Sequence, residues 1–167
     1  MVWGAIAEGK KGPLVLLDLG ESDNEDGTSK GRRGLDGPRY VAQVIVGPLI
    51  GFYDEVVAER GEAVLVVEDG APAHTSRVAK CAHEILNIHT LTHPPRSPDL
   101  NHIEPLWLLL KDHVADVPGS WSSIGKLWDA VQSVWNAFTE EKIAHVTGSM
   151  VERVNAVKAA KGHHTRF

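Results

Sequence analysis

The sequence predicts an α/β domain, and three observations lead there. Short apolar runs broken by turn residues fill the N-terminal stretch, helical apolar spacing dominates beyond residue 97, and a strand–helix–strand unit lies between them. With 167 residues the chain suits one core-bearing domain, spanning 1–167, and is short for two. Its 43% hydrophobic and 23% charged residues exclude a disordered or fibrous chain. A net charge of −5 argues against a free-standing nucleic-acid-binding module, so any DNA contact needs metal ions, a local patch or another domain. Cys81 has no cysteine to pair with and no secretory pattern opens the chain, which suits an intracellular, reducing compartment. No uninterrupted apolar run approaches the roughly 18 residues that a bilayer span needs, so no membrane partner is expected.

The elements follow in order. "MVWGAIA" and "GPLVLLDL", separated by the glycines and charges of "EGKKG", read as a hairpin. Residues 20–38, "GESDNEDGTSKGRRGLDGP", are polar and Gly-rich without an apolar period, and read as a long exposed loop. From Arg39 to Arg60 apolar residues recur at helical spacing, but Gly47, Pro48 and Gly51 interrupt them, so a kinked or broken helix is expected. "EAVLVVEDG" reads as a buried strand delivering two carboxylates at its C-terminal end. A short helix from about Thr75 to Leu86, capped by Thr75 or Ser76, leads to a strand in "NIHTLTH". Ser97 and Pro98 read as the cap and first turn of a helix reaching about Val114, with Asp99 favourable against its dipole. Trp121, Ile124, Trp128, Val131, Trp135 and Phe138 form an amphipathic stripe, for which a core-packing face is favoured over a partner-binding one. One or two further helices end at Gly162, and residues 163–167 are expected as a mobile tail.

Two carboxylates stand out. Asp69 lies where a strand runs out into "GAPAH", and Glu104 lies on the helix expected from Ser97, with 34 residues between them. Leu100, Glu104 and Trp107 share one side of that helix, so Glu104 is expected to project from a largely apolar face and to need a partner. A hard divalent cation shared with Asp69 is such a partner, and two such ions can activate a water and steady the leaving oxygen of a phosphodiester. The bland readings are a turn-forming or capping Asp69 and a solvated or ion-paired Glu104. Asp99, in the first helical turn, reads as a helix starter.

At these residues a resemblance becomes plain. "VVEDGAPAH" and "HPPRSPDLNHIEPLW", with "VWGAI" and "GPLVLLD" near the start, resemble the catalytic domain of Tc/mariner-type DDE transposases, particularly fungal members, over residues 1 to 115. The resemblance implies a ribonuclease-H-like mixed sheet flanked by helices. It also implies three carboxylates that hold two Mg2+ (or Mn2+) ions for cutting and rejoining DNA at transposon ends, in a nuclear enzyme, with a homo-oligomer as a further expectation. Asp69 matches the second Asp of the family and Glu104 its final Glu. Asp99 and Asn101 match the helix-start motif, in which His102 stands where the family has proline. His74 matches the family's "PAH" and suits a role behind the metal ligands, and Arg96 suits a contact to a DNA phosphate, against a surface salt bridge.

The family's first catalytic Asp lies on a strand upstream of "VWG", and this chain starts at that block. Asp18 is a poor substitute, at the end of a strand where the family has no ligand. The expectation is a truncated domain with its first central strand missing, two sheet edges open, metal binding weakened and efficient cleavage absent. Zinc is disfavoured, because His74, His83, His89, His93 and Cys81 follow no zinc spacing. The alternative function is a non-catalytic domesticated fragment acting as a nucleic-acid-binding or protein-interaction module. An unrelated hydrolase or phosphatase using Asp69 as nucleophile lacks a phosphate-cradling glycine loop.

Overall fold

Gly9, with φ +65°, reverses the chain between β1 (Val2–Ala7) and β2 (Lys10–Leu16), a conformation open to glycine at little cost. The turn is tighter than "EGKKG" suggests, because Lys10 and Lys11 are already strand residues. The computed structural model describes residues 1–20, 34–61, 64–92, 94 and 97–167, and its mixture of strands and helices bears out the α/β class. The chain divides into two compact units, Met1–Trp3 with Val15–His93 and Gly4–Leu14 with Pro94–Phe167.

In the first unit, Asp36 caps α1 (Gly37–Tyr40), its carboxylate accepting from the Arg39 amide at 2.8 Å. Gly37 and Pro38, expected as loop, therefore open a helix; residues 21–33 of that loop lie outside the described residues. The chain continues without a break through a π-helical stretch, Val41–Leu49, into α2 (Ile50–Arg60). Of the expected kink or break, the break is absent, because the wider π turn changes the register of the backbone bonds that the Pro48 ring would otherwise obstruct. This 24-residue helical stretch is long and apolar enough, by composition alone, to cross a bilayer. Its face of Tyr40, Val44, Ile45, Leu49 and Tyr53 instead forms the core of the unit with Leu17, Ala73, Ala79 and Ile88.

Ser76 caps α3 (Arg77–Ile85) by accepting from the Ala79 amide, as expected. Two short parallel strands flank that helix in sequence: β3 (Val66–Val67) and β4 (Thr90–Leu91), with Val66 opposite Thr90 and Val67 opposite Leu91. The strand expected to be buried is short, and Leu65 and Val67 keep 50% and 39% of their surface exposed. The physical reason is pairing on one side only: among the described residues β3 has β4 as its single neighbour, and the hairpin forms a separate sheet.

The second unit is helical apart from its part of the hairpin. A 3-10 turn, Pro98–Leu100, precedes α4 (Glu104–Ala115), α5 (Ile124–Ala137), α6 (Glu140–Thr147) and α7 (Met150–Ala159). The helix expected from Ser97 starts instead at Glu104. A helix running through from Ser97 would place Pro105 in its interior, against the carbonyl four residues back, whereas a start at Glu104 puts Pro105 in the tolerant first turn. Leu106, Leu110, Val114, Ala130, Val131, Trp135, Phe138, Ile143 and Val146 are buried, with Trp107 stacked on Trp135 at 5.6 Å. The aromatic stripe holds from Trp128 onward, but Trp121 and Ile124 are 69% and 78% exposed. Trp121 belongs to a 3-10 turn before the cap Ser123, so its spacing from the later residues does not carry over into one helical face.

Candidate active site

Strand geometry separates the two acids of "VVEDG". Successive side chains at a strand end point to opposite sides, and here Glu68 is turned inward while Asp69 is turned out: their side chains are 16% and 56% exposed. Asp69 Oδ1 accepts from the Ala71 amide at 3.0 Å, a turn closed by its own side chain, and lies 2.7 Å from His74 Nδ1, at an angle outside that of a hydrogen bond. Oδ2 has no partner among the described residues. Thr75 closes the same turn, its amide and hydroxyl donating to the Ala71 carbonyl at 3.0 and 3.1 Å.

Behind this turn lies a polar group that the sequence reading did not single out. The fully buried Tyr40 donates its hydroxyl to Glu68 Oε1, Trp3 donates to the Tyr40 oxygen, and the Tyr40 ring lies 4.4 Å from the His74 ring. His83 Nε2, also buried, lies 3.8 Å from Glu68 Oε2. Burial above all, and then the Glu68 charge, pushes the Tyr40 phenol far above its usual range, so it stays a donor. Glu68 is thereby committed to the interior, and Asp69 is the strand-end acid that faces outward.

Glu104 is the first residue of α4 rather than a residue two turns in. It is exposed to water, which corrects the expectation of a carboxylate held away from open water on a helix starting at Ser97. It stands in the first turn of the helix, a place where acidic residues are favoured. Its backbone amide donates to the Asn101 carbonyl at 3.3 Å.

Asp99 is not a helix starter. It is 5% exposed, and its Oδ2 accepts from the Thr165 amide at 2.8 Å and the Thr165 hydroxyl at 2.7 Å. Residues 163–167, expected as a mobile tail, are therefore bound into the second unit, with the Arg153 guanidinium 4.8 Å from the Phe167 ring centre. Asn101 Oδ1 accepts from the Ile103 amide at 3.4 Å, so its side chain shapes the turn before α4. Asp18 is occupied locally: its Oδ1 accepts from the Gly20 amide, and its backbone exchanges two hydrogen bonds with the Gln43 side chain. Arg96 lies outside the described residues.

The donor chemistry suits a hard divalent cation. Asp69 offers an open carboxylate oxygen with its other oxygen already anchored, and Glu104 an exposed carboxylate with no partner among the described residues. Asp69 and Glu104 belong to different units, and no group of three His, Cys, Asp or Glu side chains able to hold a metal is assembled among the described residues.

Comparison with known proteins adds a family. Residues 49–127 match the profile of the DDE superfamily endonucleases. The transposase of the transposable element Tcb2 of Caenorhabditis briggsae is 35% identical over 107 residues, 64% of this chain and 38% of that relative. The chain thus matches well under two thirds of that relative's length. Among solved structures, the Mos1 transposase catalytic domain with raltegravir and Mg superposes with a TM-score of 0.68 at 24% identity, covering 80% of this chain and 66% of the other. The Mos1 transposase paired-end complex with its left transposon end gives 0.64 at 24% identity, covering 80% and 38%. The fold is the ribonuclease-H-like one.

Proposed function

From the premise that the chain belongs to the DDE transposase catalytic domains of the Tc/mariner type, we propose that it serves metal-dependent cleavage and transfer of DNA strands at transposon ends. Asp69 and Glu104 are its metal ligands, for Mg2+ or Mn2+. DNA is the partner, the setting is nuclear and the assembly a homo-oligomer; the presence of Mg in a Mos1 structure and of a transposon end in another supports the cation and the DNA partner.

One observation carries the assignment. At the end of β3 the inner acid is bonded to a buried tyrosine, while the outer acid is anchored through one oxygen and open at the other. When bound, the cations activate the attacking water or hydroxyl and stabilise the leaving oxygen. The chain's own residues do the rest. The Ala71 amide fixes the rotation of the Asp69 carboxylate, the His74 ring lies against the same oxygen, and Tyr40 backs that ring. This orients one oxygen for a ligand, and His74 acts through Asp69 as a positioning residue. At α4 Glu104 stands at the helix N-terminus, where its carboxylate is open to a ligand.

Titration with Mn2+, followed by the paramagnetic signal of the free ion, tests the assignment. Loss of a carboxylate in Asp69→Asn or Glu104→Gln is expected to weaken binding about tenfold or more. Unchanged affinity in both variants would overturn the reading. The exposed Trp121 and Ile124 are the observation favouring a non-catalytic interaction module, which that negative result would bring forward.

A further inference from the structure

We propose that residues 163–167, with α7, clamp the segment before α4 and thereby position Glu104, with Thr165 as a positioning residue. The inference rests on the reading of Glu104 as a metal ligand.

The segment from Ser97 to Ile103 is an irregular stretch. Its own backbone bonds are those of short turns: Leu100 to Ser97 at 3.1 Å, Asn101 to Pro98 at 2.8 Å, and Glu104 to Asn101 at 3.3 Å. Such turns leave the entry angle of a following helix to contacts from elsewhere. Here those contacts come from far along the chain. Asp99, whose carboxylate is nearly fully buried, receives two hydrogen bonds at one oxygen from Thr165. Its carbonyl accepts from Arg153 Nη1 at 2.8 Å, and Arg153, only 4% exposed, is itself held by Nε donating to Ser149 Oγ at 2.8 Å. Phe167 covers the guanidinium from the other side, and its amide donates to the Thr165 hydroxyl at 3.2 Å.

A buried carboxylate with two donors on one oxygen fixes direction as well as distance, because either donor leaving strands a charge away from water. That is more constraint than anchoring a chain end requires. Glu104 has no side-chain partner of its own among the described residues, so the backbone that carries it sets where its carboxylate can meet a cation. The clamp acts on that backbone.

The experiment uses the full chain and two readouts. Hydrogen exchange of the amides of residues 97–104 reads the clamp without any metal, and Mn2+ affinity reads its effect on Glu104. Thr165→Val removes the hydroxyl donor with little change of shape, and Thr165→Ser restores it. In Thr165→Val, exchange in 97–104 is expected to rise about tenfold and the Mn2+ dissociation constant to rise by about the same factor. Thr165→Ser is expected to return both to wild type, with thermal midpoints checking that all variants are folded. Unchanged exchange in 97–104 overturns the clamp. Faster exchange with unchanged Mn2+ affinity, where Glu104→Gln still weakens binding, overturns the positioning role. If Glu104→Gln leaves Mn2+ binding intact, the ligand assignment itself has failed and the positioning claim falls with it.

Discussion

Replacing Tyr40 by Phe isolates the polar group behind Asp69. The ring stays, so the packing of a residue with no exposed surface is kept, and the hydroxyl alone is lost. Its acceptor, Glu68, is a carboxylate whose side chain is 16% exposed. A hydrogen bond to a charged group contributes roughly 1.5–3 kcal/mol, and partial access of water to Glu68 places the expected loss toward the lower end, about 2 kcal/mol. For a chain of this length that corresponds to a fall of roughly 4–8 °C in the melting midpoint. Urea unfolding followed by far-ultraviolet circular dichroism gives the energy. Amide exchange along residues 40–53 shows whether the loss falls in the first unit. A double-mutant cycle with Glu68→Gln then reports the coupling directly, expected at about 1–2 kcal/mol. A Tyr40→Phe protein as stable as wild type, or a coupling near zero, would refute the claim that this bond holds Glu68 inside and leaves Asp69 as the outward acid.

Three further outcomes follow from the same contacts. Burial and the Glu68 charge raise the Tyr40 phenol above its unfolded value, so the stability it contributes is full below about pH 10 and is lost as pH rises beyond that value; absorbance titration should show Tyr40 ionising only with unfolding. The Thr165 hydroxyl, against the opposing effect of burial, holds Asp99 below its usual range, so its contribution is full above about pH 4 and is lost as pH falls through the folded value; Asp99→Asn should flatten the acid limb of a stability–pH curve. Gly37→Ala would set a methyl 2.6 Å from Val78 Cγ2 and 2.8 Å from Ser76 Cβ, an overpacking expected to cost about 1–3 kcal/mol in urea unfolding.

What the sequence made legible was local. Ser76 as a cap, the hairpin, and Asp69 at a strand end all rest on signals a few residues long. Glu104 was placed on the wrong part of its helix because two Pro-containing starts, at Pro98 and Pro105, compete; the penalty for an interior proline decides for the second. The bond between Tyr40 and Glu68, and that between Thr165 and Asp99, join residues 28 and 66 apart. Neither leaves a periodic trace, because a single polar pair across elements is set by packing and not by a repeat. Burial of Asp99 was hidden for the same reason: an acid in a first turn looks solvated until its distant donor is known. Trp121 marks the converse error, in which a regular spacing was carried back across the cap Ser123 to a residue outside the helix.

The central claim is that Asp69 and Glu104 are the metal ligands of this domain. Loading the protein with Fe2+ in place of Mg2+ and adding ascorbate and peroxide generates radicals that cut the backbone beside the bound ion. The account predicts cuts near residue 69 and near residue 104, both suppressed by excess Mg2+ and weakened by Asp69→Asn or Glu104→Gln. Cuts confined to other segments, or cuts indifferent to those two variants, would contradict it.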